Sequence, residues 1–181
     1  SKSGTIDLLK AMNATMVHRG PNDNGEEILE IKNGYGLGLG HRRLSILDLS
    51  ENGHQPMHSA DGRISLVFNG EIYNHMDIRK ELQTNYPFTS TCDTQTIIAA
   101  YMEWGISCVE KFEGMFAIAL YDRECNKLFL IRDRMGKKPL YYWVTGDGIY
   151  WGSGLSVLCQ IPQFDKSINK KCMPQYLNNL Y

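Results

Sequence analysis

The sequence has the size and composition of one globular domain. It contains 181 residues, of which 43% are hydrophobic and 22% are charged, and its formal net charge is -1. A chain of this length buries about 70% of its unfolded surface on folding. Because the charge is balanced and no apolar run reaches the roughly 18 residues of a membrane span, we predict neither a nucleic-acid nor a membrane partner.

The cysteines indicate a reducing compartment. There are five, an odd number, and no pair has the C-x-x-C spacing of a redox or zinc motif. We therefore expect free thiols, no metal site and a cytoplasmic location. The N-terminus agrees, since it has no signal-peptide pattern.

The first part of the chain predicts a helix and then a hairpin. Apolar residues at spacings of three and four favour an amphipathic helix over residues 5–17. Residues 22–25 have the composition of a turn. Strands are expected at residues 27–31 and 35–40, and Lys32-Asn33-Gly34 between them is a hairpin signal.

The rest of the chain predicts two central helices among strands. An apolar strand at residues 64–68 precedes helices at residues 75–83, with Asn74 as candidate N-cap, and at residues 93–104. Further strands are expected at residues 115–121, 127–132, 140–144 and 149–152, before two short helical pieces after Ser153. This order predicts one domain of the α+β class.

The most specific motif is Asn69-Gly70-Glu71-Ile72-Tyr73-Asn74. With His18-Arg19-Gly20-Pro21, Arg43-Leu44-Ser45-Ile46 and Arg132-Asp133, it resembles the glutamine-hydrolysing domain of asparagine synthetase, a class II (N-terminal-nucleophile) glutamine amidotransferase. The resemblance covers nearly the whole chain. It implies the Ntn-hydrolase fold, a four-layer αββα sandwich with two stacked antiparallel sheets. It also implies hydrolysis of glutamine to glutamate and ammonia, for transfer to an acceptor carboxylate.

Asn69 and Gly70 are the candidate oxyanion donors. A side-chain amide and a backbone N–H can converge on one oxygen, and glycine allows a close approach. In isolation, Asn-Gly is more typical of a hairpin turn. The resemblance favours the oxyanion interpretation, because all six residues of the motif match.

Charged residues are the candidates for binding the α-carboxylate and α-ammonium groups of glutamine. A guanidinium binds a carboxylate bidentately, and the resemblance selects Arg43 rather than Arg42; a surface ion pair is the alternative. Asp93 resembles the family's acceptor for the substrate α-ammonium, with Glu71 in the same role. Asp93 could equally cap its helix.

Other residues near the motifs are not expected to react. The segment 132–142 is similar to the family's RDxxGxKPLYY pattern and is interpreted as scaffold. His18 is a poor candidate for the base, because the class uses its α-amine. Cys92 has no adjacent base and is interpreted as a packed thiol.

The sequence departs from the family at both the nucleophile and the synthetase part. It begins at Ser1, without the catalytic cysteine and its strand, and Ser153-Gly154 stands where the family has Ser-Glu. We therefore expect residues 1–181 to form a glutaminase domain that lacks its N-terminal strand, has an incomplete sheet and is inactive alone. The family's Ser-Gly-Gly-x-Asp-Ser pyrophosphatase loop is absent, so the synthetase domain is not in this chain.

Two functions remain open. One is the glutaminase domain of an asparagine synthetase-like amidotransferase, which predicts a cysteine just upstream of Ser1. The other is a catalytically inactive module for glutamine sensing or assembly, which does not. We expect no cofactor in this domain, and ATP and magnesium only for a synthetase domain. The expected partners are glutamine and a C-terminal ATP-dependent synthetase domain, with a homodimer as an open option.

Overall fold

A computed structural model describes residues 2–31, 35–43 and 53–178. Ser1, the predicted hairpin residues Lys32-Asn33-Gly34 and the Leu44-Ser45-Ile46 part of the second motif lie outside the described residues. The helices are α1 (Lys2–Ala14), α2 (His75–Leu82), α3 (Asp93–Trp104), α4 (Leu155–Leu158) and α5 (Met173–Asn178), with 3-10 segments at Val17–Arg19 and Gly105–Lys111. The strands are β1 (Asp23–Glu30), β2 (Gly36–Arg43), β3 (Met57–His58), β4 (Ile64–Ile72), β5 (Gly114–Asp122), β6 (Lys127–Arg132), β7 (Tyr141–Val144) and β8 (Ile149–Gly152).

Strands β4 and β5 form the centre of the inner sheet. They pair antiparallel in the order β3-β4-β5-β6. Because side chains alternate across a strand, Ile64, Leu66 and Phe68 pack in the main core with residues of α2 and α3. Val67 lies on the opposite face.

Two separate strand pairs, β1-β2 and β7-β8, cover that opposite face. Leu37 and Leu39 of β2 pack with Tyr121 of β5 in a second cluster, and Val67 and Trp151 are among the residues packed against it. Helix α1 packs on β2, and α4 packs on β8 and α1. The layers are therefore α1 with α4, the outer strand pairs, the inner sheet, and α2 with α3, as the predicted αββα arrangement requires.

The two outer strand pairs are not joined to each other. Among the described residues, β2 pairs in a strand ladder only with β1, and β8 only with β7. A cleft of about 1300 Å³ runs between β2 and β8, with α1 on one side and the inner sheet on the other. Within the described ranges, the outer layer therefore consists of two separate two-stranded sheets.

The structure corrects some predicted boundaries. Residues 22–25 are not a turn, because β1 begins at Asp23; Gly25 is there because a Cβ would lie 1.9 Å from the Gln55 carbonyl oxygen. Strand β4 continues to Ile72, since it pairs with β5 along its whole length, so the hairpin-turn alternative for Asn-Gly is wrong. Helix α1 spans residues 2–14 instead of 5–17, and the two-residue strand β3 is not evident from the sequence.

Asp122, at the end of β5, is a buried carboxylate with strong donors. Arg63 donates from Nη2 to Oδ2 at 2.8 Å and from Nε to Oδ1 at 3.2 Å, and the Tyr101 hydroxyl donates to Oδ2 at 3.1 Å. Burial by itself raises the pKa of Asp122. The Arg63 guanidinium and the other donors outweigh it and lower the pKa to about 2.

We expect Asp122→Asn to lower the free energy of unfolding at neutral pH by about 2 kcal/mol, which corresponds to the shift of the pKa from 3.8 to about 2. Because the folded-state pKa is the lower one, this stabilisation is present above the unfolded-state pKa and is lost as the pH falls from 3.8 through about 2. Urea unfolding across this range measures it. Asp7→Asn, at an exposed position of α1, is the control. The same acid sensitivity in the Asp122 variant and the parent chain would contradict the assignment.

Candidate functional site

The cleft between β2 and β8 is lined by all five residues singled out in the sequence. Arg43 ends β2, while Asn69, Gly70 and Glu71 lie near the end of β4, and Asp93 begins α3. The fold therefore brings together side chains from three elements that are distant in sequence.

The N–H of Gly70 points away from β5. In the β4-β5 ladder the hydrogen-bonded residues of β4 are the odd-numbered ones, and the pattern continues past the strand, where Tyr73 N–H donates to Glu113 O at 2.7 Å. Even-numbered N–H groups, that of Gly70 included, therefore point to the other edge of β4. Only glycine fits here, because a Cβ would lie 2.1 Å from Met115 O.

The neighbouring donors on this edge of β4 are already bonded. Phe68 N–H donates to Gln55 Oε1 at 2.6 Å, and Ile72 N–H donates to Asp93 Oδ2 at 3.0 Å. Between them, Gly70 N–H has no acceptor among the described residues. It is the donor on this stretch that is available to a ligand.

The Asn69 carboxamide lies next to this donor, on the face of β4 that carries the outer strands. Its Nδ2 donates to Ser153 Oγ at 3.0 Å. Ser153 directly follows β8, and its carbonyl oxygen accepts from Arg19 Nη1 at 2.6 Å. An amide nitrogen carries two hydrogens, so Asn69 can donate to Ser153 and to a ligand at once.

Asp93 is a buried carboxylate, 9% exposed, at the wall of the cleft. Its burial raises its pKa, and the Ile72 N–H and the nearby His75 only partly oppose that effect. A carboxylate in this state is stabilised by a cationic partner. The N-cap position of α3 is Cys92, so the helix-capping alternative for Asp93 is wrong, and its Oδ2 bonds to β4 instead.

Glu71 adds a second carboxylate to the same wall. Its side chain is half-buried and makes no hydrogen bond or ion pair with another described residue. The main chain of Glu71 is fixed, because a Cβ on Gly114 would lie 2.1 Å from its carbonyl oxygen. The main chain of Glu71 is therefore fixed, and its carboxylate is available to accept a hydrogen bond from a ligand in the cleft.

Arg43 is held at the mouth of the cleft by close backbone contacts. Its guanidinium lies over Gly53, where a Cβ would be 2.0 Å from Nη2. Gly20, in the first motif, packs on the Arg42–Arg43 peptide, where a Cβ would lie 2.4 Å from the Arg42 carbonyl carbon. Arg42 takes another direction, since its Nε donates to Asn13 O on α1 at 3.4 Å. The side chains of the two adjacent arginines therefore contact different parts of the structure.

The segment after β6 is hydrogen-bonded to β5 through Asp133. Asp133 accepts from the N–H groups of Phe116 at 3.1 Å, Lys137 at 2.8 Å and Lys138 at 2.9 Å. Burial works to raise the pKa of Asp133, but these donors outweigh it and lower the pKa. Arg132 donates to Lys138 O at 2.7 Å. These contacts agree with the scaffold interpretation.

Sequence reasoning missed Gln55, His41 and Ser153, which hold the site together. The imidazole of His41 donates from Nε2 to Phe68 O at 3.1 Å, and burial lowers its pKa to about 4, so it is neutral at physiological pH. No local pattern assigns these residues a role in the site, because each acts through a partner distant in sequence. The Cys92 thiol lies 2.9 Å from Ser90 Oγ, as a packed thiol would.

Within residues 2–31, 35–43 and 53–178, no group of three or more His, Cys, Asp or Glu side chains is placed to hold a metal ion. No helix in the same ranges is long and apolar enough to cross a membrane.

Comparison with known sequences places this chain among amidotransferases. A family described as "Glutamine amidotransferase domain" matches residues 1–181. A putative asparagine synthetase [glutamine-hydrolyzing] 2 of Methanocaldococcus jannaschii is 37% identical over 93% of this chain and 35% of that protein. Asparagine synthetase [glutamine-hydrolyzing] 1 of Bacillus subtilis is 38% identical over 95% of this chain and 26% of that protein. The chain thus spans only about a quarter to a third of these relatives.

Comparison with solved structures shows the fold. The glutamine phosphoribosylpyrophosphate amidotransferase of Bacillus subtilis superimposes with a TM-score of 0.70 over 84% of this chain and 40% of that one, at 15% identity. The predicted family and the predicted Ntn-hydrolase sandwich are therefore confirmed. The roles of the individual cleft residues stay predictions.

We expect Asp93→Asn to raise the Tm at neutral pH. The folded-state pKa of Asp93 is raised, so the ionised form opposes folding, and stability falls as the pH rises above the unfolded-state value. Asn removes the charge while its Oδ1 still accepts from Ile72 N–H. Each kcal/mol relieved corresponds to about 2–4 °C in Tm for a chain of this size. Thermal unfolding from acid to neutral pH measures the gain, which should disappear in acid.

The control is Asp77→Asn, on the exposed face of α2, where Asp77 pairs with Lys80. A lower Tm for the Asp93 variant than for the parent chain at neutral pH would contradict this expectation. It would show that the ionised Asp93 carboxylate stabilises the folded state.

Proposed function

This chain belongs to the family of glutamine amidotransferase domains, and we propose that it is the glutaminase part of an asparagine synthetase-type amidotransferase. It hydrolyses glutamine to glutamate and ammonia, which is passed to an acceptor carboxylate. The observation that carries the proposal is the convergence of Arg43, Asn69, Gly70, Glu71 and Asp93 on one cleft.

Charged residues of the cleft fit the amino-acid end of glutamine. Arg43 pairs with the α-carboxylate through its two parallel N–H groups. Asp93 Oδ2 is bonded to Ile72 N–H, and the remaining lone pairs of the carboxylate accept from the α-ammonium together with Glu71. Recognition of both charges favours a free amino acid over a peptide, in which these groups are amides.

The side-chain amide of glutamine lies between the two donors on β4. When a nucleophile attacks it, negative charge develops on the amide oxygen. The Gly70 N–H and the second hydrogen of Asn69 Nδ2 stabilise that charge. Both donors are held on a central strand, so they need little reorganisation during the reaction.

An extended segment in the gap between β2 and β8 supplies the nucleophile. Strands β2 and β8 both end at the polar end of the cleft, at Arg43 and beside Ser153. A strand antiparallel to both therefore has its N-terminus there. An N-terminal cysteine at that point places a thiol and an α-amine, with a pKa of about 7.7–8.0, next to Gly70.

The direction of α1 supports this placement of the segment. Arg19, which follows α1, bonds to Ser153 at the polar end, and Leu9 within α1 packs further along β2. Helix α1 therefore begins at the far end of the cleft, where an antiparallel strand from the polar end would finish.

The proposed reaction assigns the remaining partners. Hydrolysis of an amide by a cysteine and an α-amine requires no cofactor. ATP and magnesium belong to a C-terminal synthetase domain, which uses the ammonia. The full-length protein is cytoplasmic. A homodimer is one option for its assembly. The alternative, a glutamine-sensing module, predicts binding of glutamine without release of ammonia.

We expect Arg43→Gln to weaken glutamine binding by roughly 10- to 100-fold, because a charge-assisted bidentate pair is replaced by one neutral contact. Isothermal titration of the chain with glutamine measures the effect. Arg42→Gln is the matched control, since Arg42 is directed at Asn13 O on α1. Equal loss in both variants would remove the assignment of Arg43 to the carboxylate.

We expect ammonia release only when a strand that begins with a cysteine fills the gap between β2 and β8. A chain extended before Ser1 by a strand that begins with a processed cysteine should release ammonia from glutamine, and replacement of that cysteine by alanine should abolish the release. The chain beginning at Ser1 should bind glutamine but not hydrolyse it. Turnover by the chain beginning at Ser1 would falsify this account and make Ser1 or Cys92 the next residue to test.

A further inference from the structure

We propose that Ser153 is a positioning residue that sets the orientation of the Asn69 carboxamide in the cleft. This rests on the proposed function, which makes Asn69 a donor to the oxygen of the reacting amide. Ser153 itself need not touch the substrate.

Ser153 is presented from a fixed turn. Its carbonyl oxygen accepts from Arg19 Nη1 at 2.6 Å, which ties the end of β8 to the segment after α1. The preceding Gly152 packs tightly on α4, since a Cβ there would lie 2.7 Å from Val157 Cγ1. The main chain on both sides of the hydroxyl is therefore held.

The hydroxyl of Ser153 is the one hydrogen-bonding partner of the Asn69 side chain among the described residues. Asn69 Nδ2 donates to Ser153 Oγ at 3.0 Å, from the inner sheet to the outer layer. The torsion that turns an asparagine amide is soft. Without this contact the amide can rotate and present its oxygen, instead of its N–H, to the ligand.

The orientation matters because of the charge that the site has to stabilise. A carboxamide with its oxygen toward an oxyanion repels it, whereas one with its N–H toward it stabilises it. The bond to Ser153 uses one Nδ2 hydrogen and leaves the other available to a ligand. Donors of this kind act mainly in the transition state, so the loss of orientation should lower kcat more than it raises KM.

The decisive experiment measures glutaminase kinetics in the full natural chain. We expect Ser153→Ala to lower kcat about tenfold, the effect of one hydrogen bond, with KM changed less than about twofold. Ser153→Thr, which keeps a hydroxyl at the same place, should restore most of the rate. The matched control is Ser156→Ala, an exposed position on α4 that does not line the cleft, which should leave both constants unchanged.

A second readout does not depend on activity. The side-chain amide of Asn69, observed by nitrogen-edited NMR in the chain itself, should have one hydrogen that exchanges slowly with solvent. In Ser153→Ala that resonance should shift and exchange faster, and in Ser153→Thr it should stay as in the parent chain.

The two readouts separate the failure of this inference from that of the proposed function. If the full chain does not hydrolyse glutamine, the proposed function fails, and the NMR comparison alone decides whether Ser153 orients Asn69. An unchanged Asn69 resonance in Ser153→Ala overturns the inference. So does a Ser153→Ala variant of the active chain that keeps the parent kcat or changes only KM.

Discussion

The edge of β4 that faces away from β5 is the constraint on which the site depends. Backbone N–H groups at the edge of a sheet must be bonded or face a ligand or solvent. Strand β3 has two residues and covers only the start of this edge. Beyond it, side chains of Gln55 and Asp93 bond the N–H groups on either side of Gly70. A longer β3 would have bonded Gly70 as well and removed the donor, so the shortness of β3 is part of the site.

Close backbone contacts at two glycines fix segments that line the cleft, one between β1 and Gln55 and one within the inner sheet. A Cβ on Gly25 would meet the Gln55 carbonyl oxygen at 1.9 Å, and one on Gly114 would meet Glu71 O at 2.1 Å. At such distances no side chain fits, and the backbone segments fix each other's position. The segments fixed in this way are those that carry Gln55 and Glu71. These glycine contacts therefore hold in place the backbone of two segments that line the cleft.

The sequence predicted the layers and five lining residues, but not the contacts that hold them. Helix α3 was predictable within its observed bounds, since its apolar period and leading Asp93 are local signals. The end of β4 was not, because the turn propensity of Asn69-Gly70 is overridden by pairing with β5. Ser153 is separated from Asn69 by 84 residues, and no local pattern encodes such a contact. Asn74 does occupy the predicted N-cap position, yet its side chain bonds outside the helix, to residues 111 and 113.

In the proposed enzyme, one element completes both the fold and the chemistry. The far part of the cleft is apolar and is lined by Leu9, Leu37 and Tyr121, while the end next to Arg43 is charged. An antiparallel strand in the gap would bond to β2 and β8 and bury that apolar surface. The same direction of pairing brings its N-terminus to the charged end. If this strand were displaced, its ladder hydrogen bonds would be lost and the nucleophile would leave the cleft at the same time. In the proposed enzyme, the thiol and the amine would therefore meet glutamine only when the strand is paired with β2 and β8.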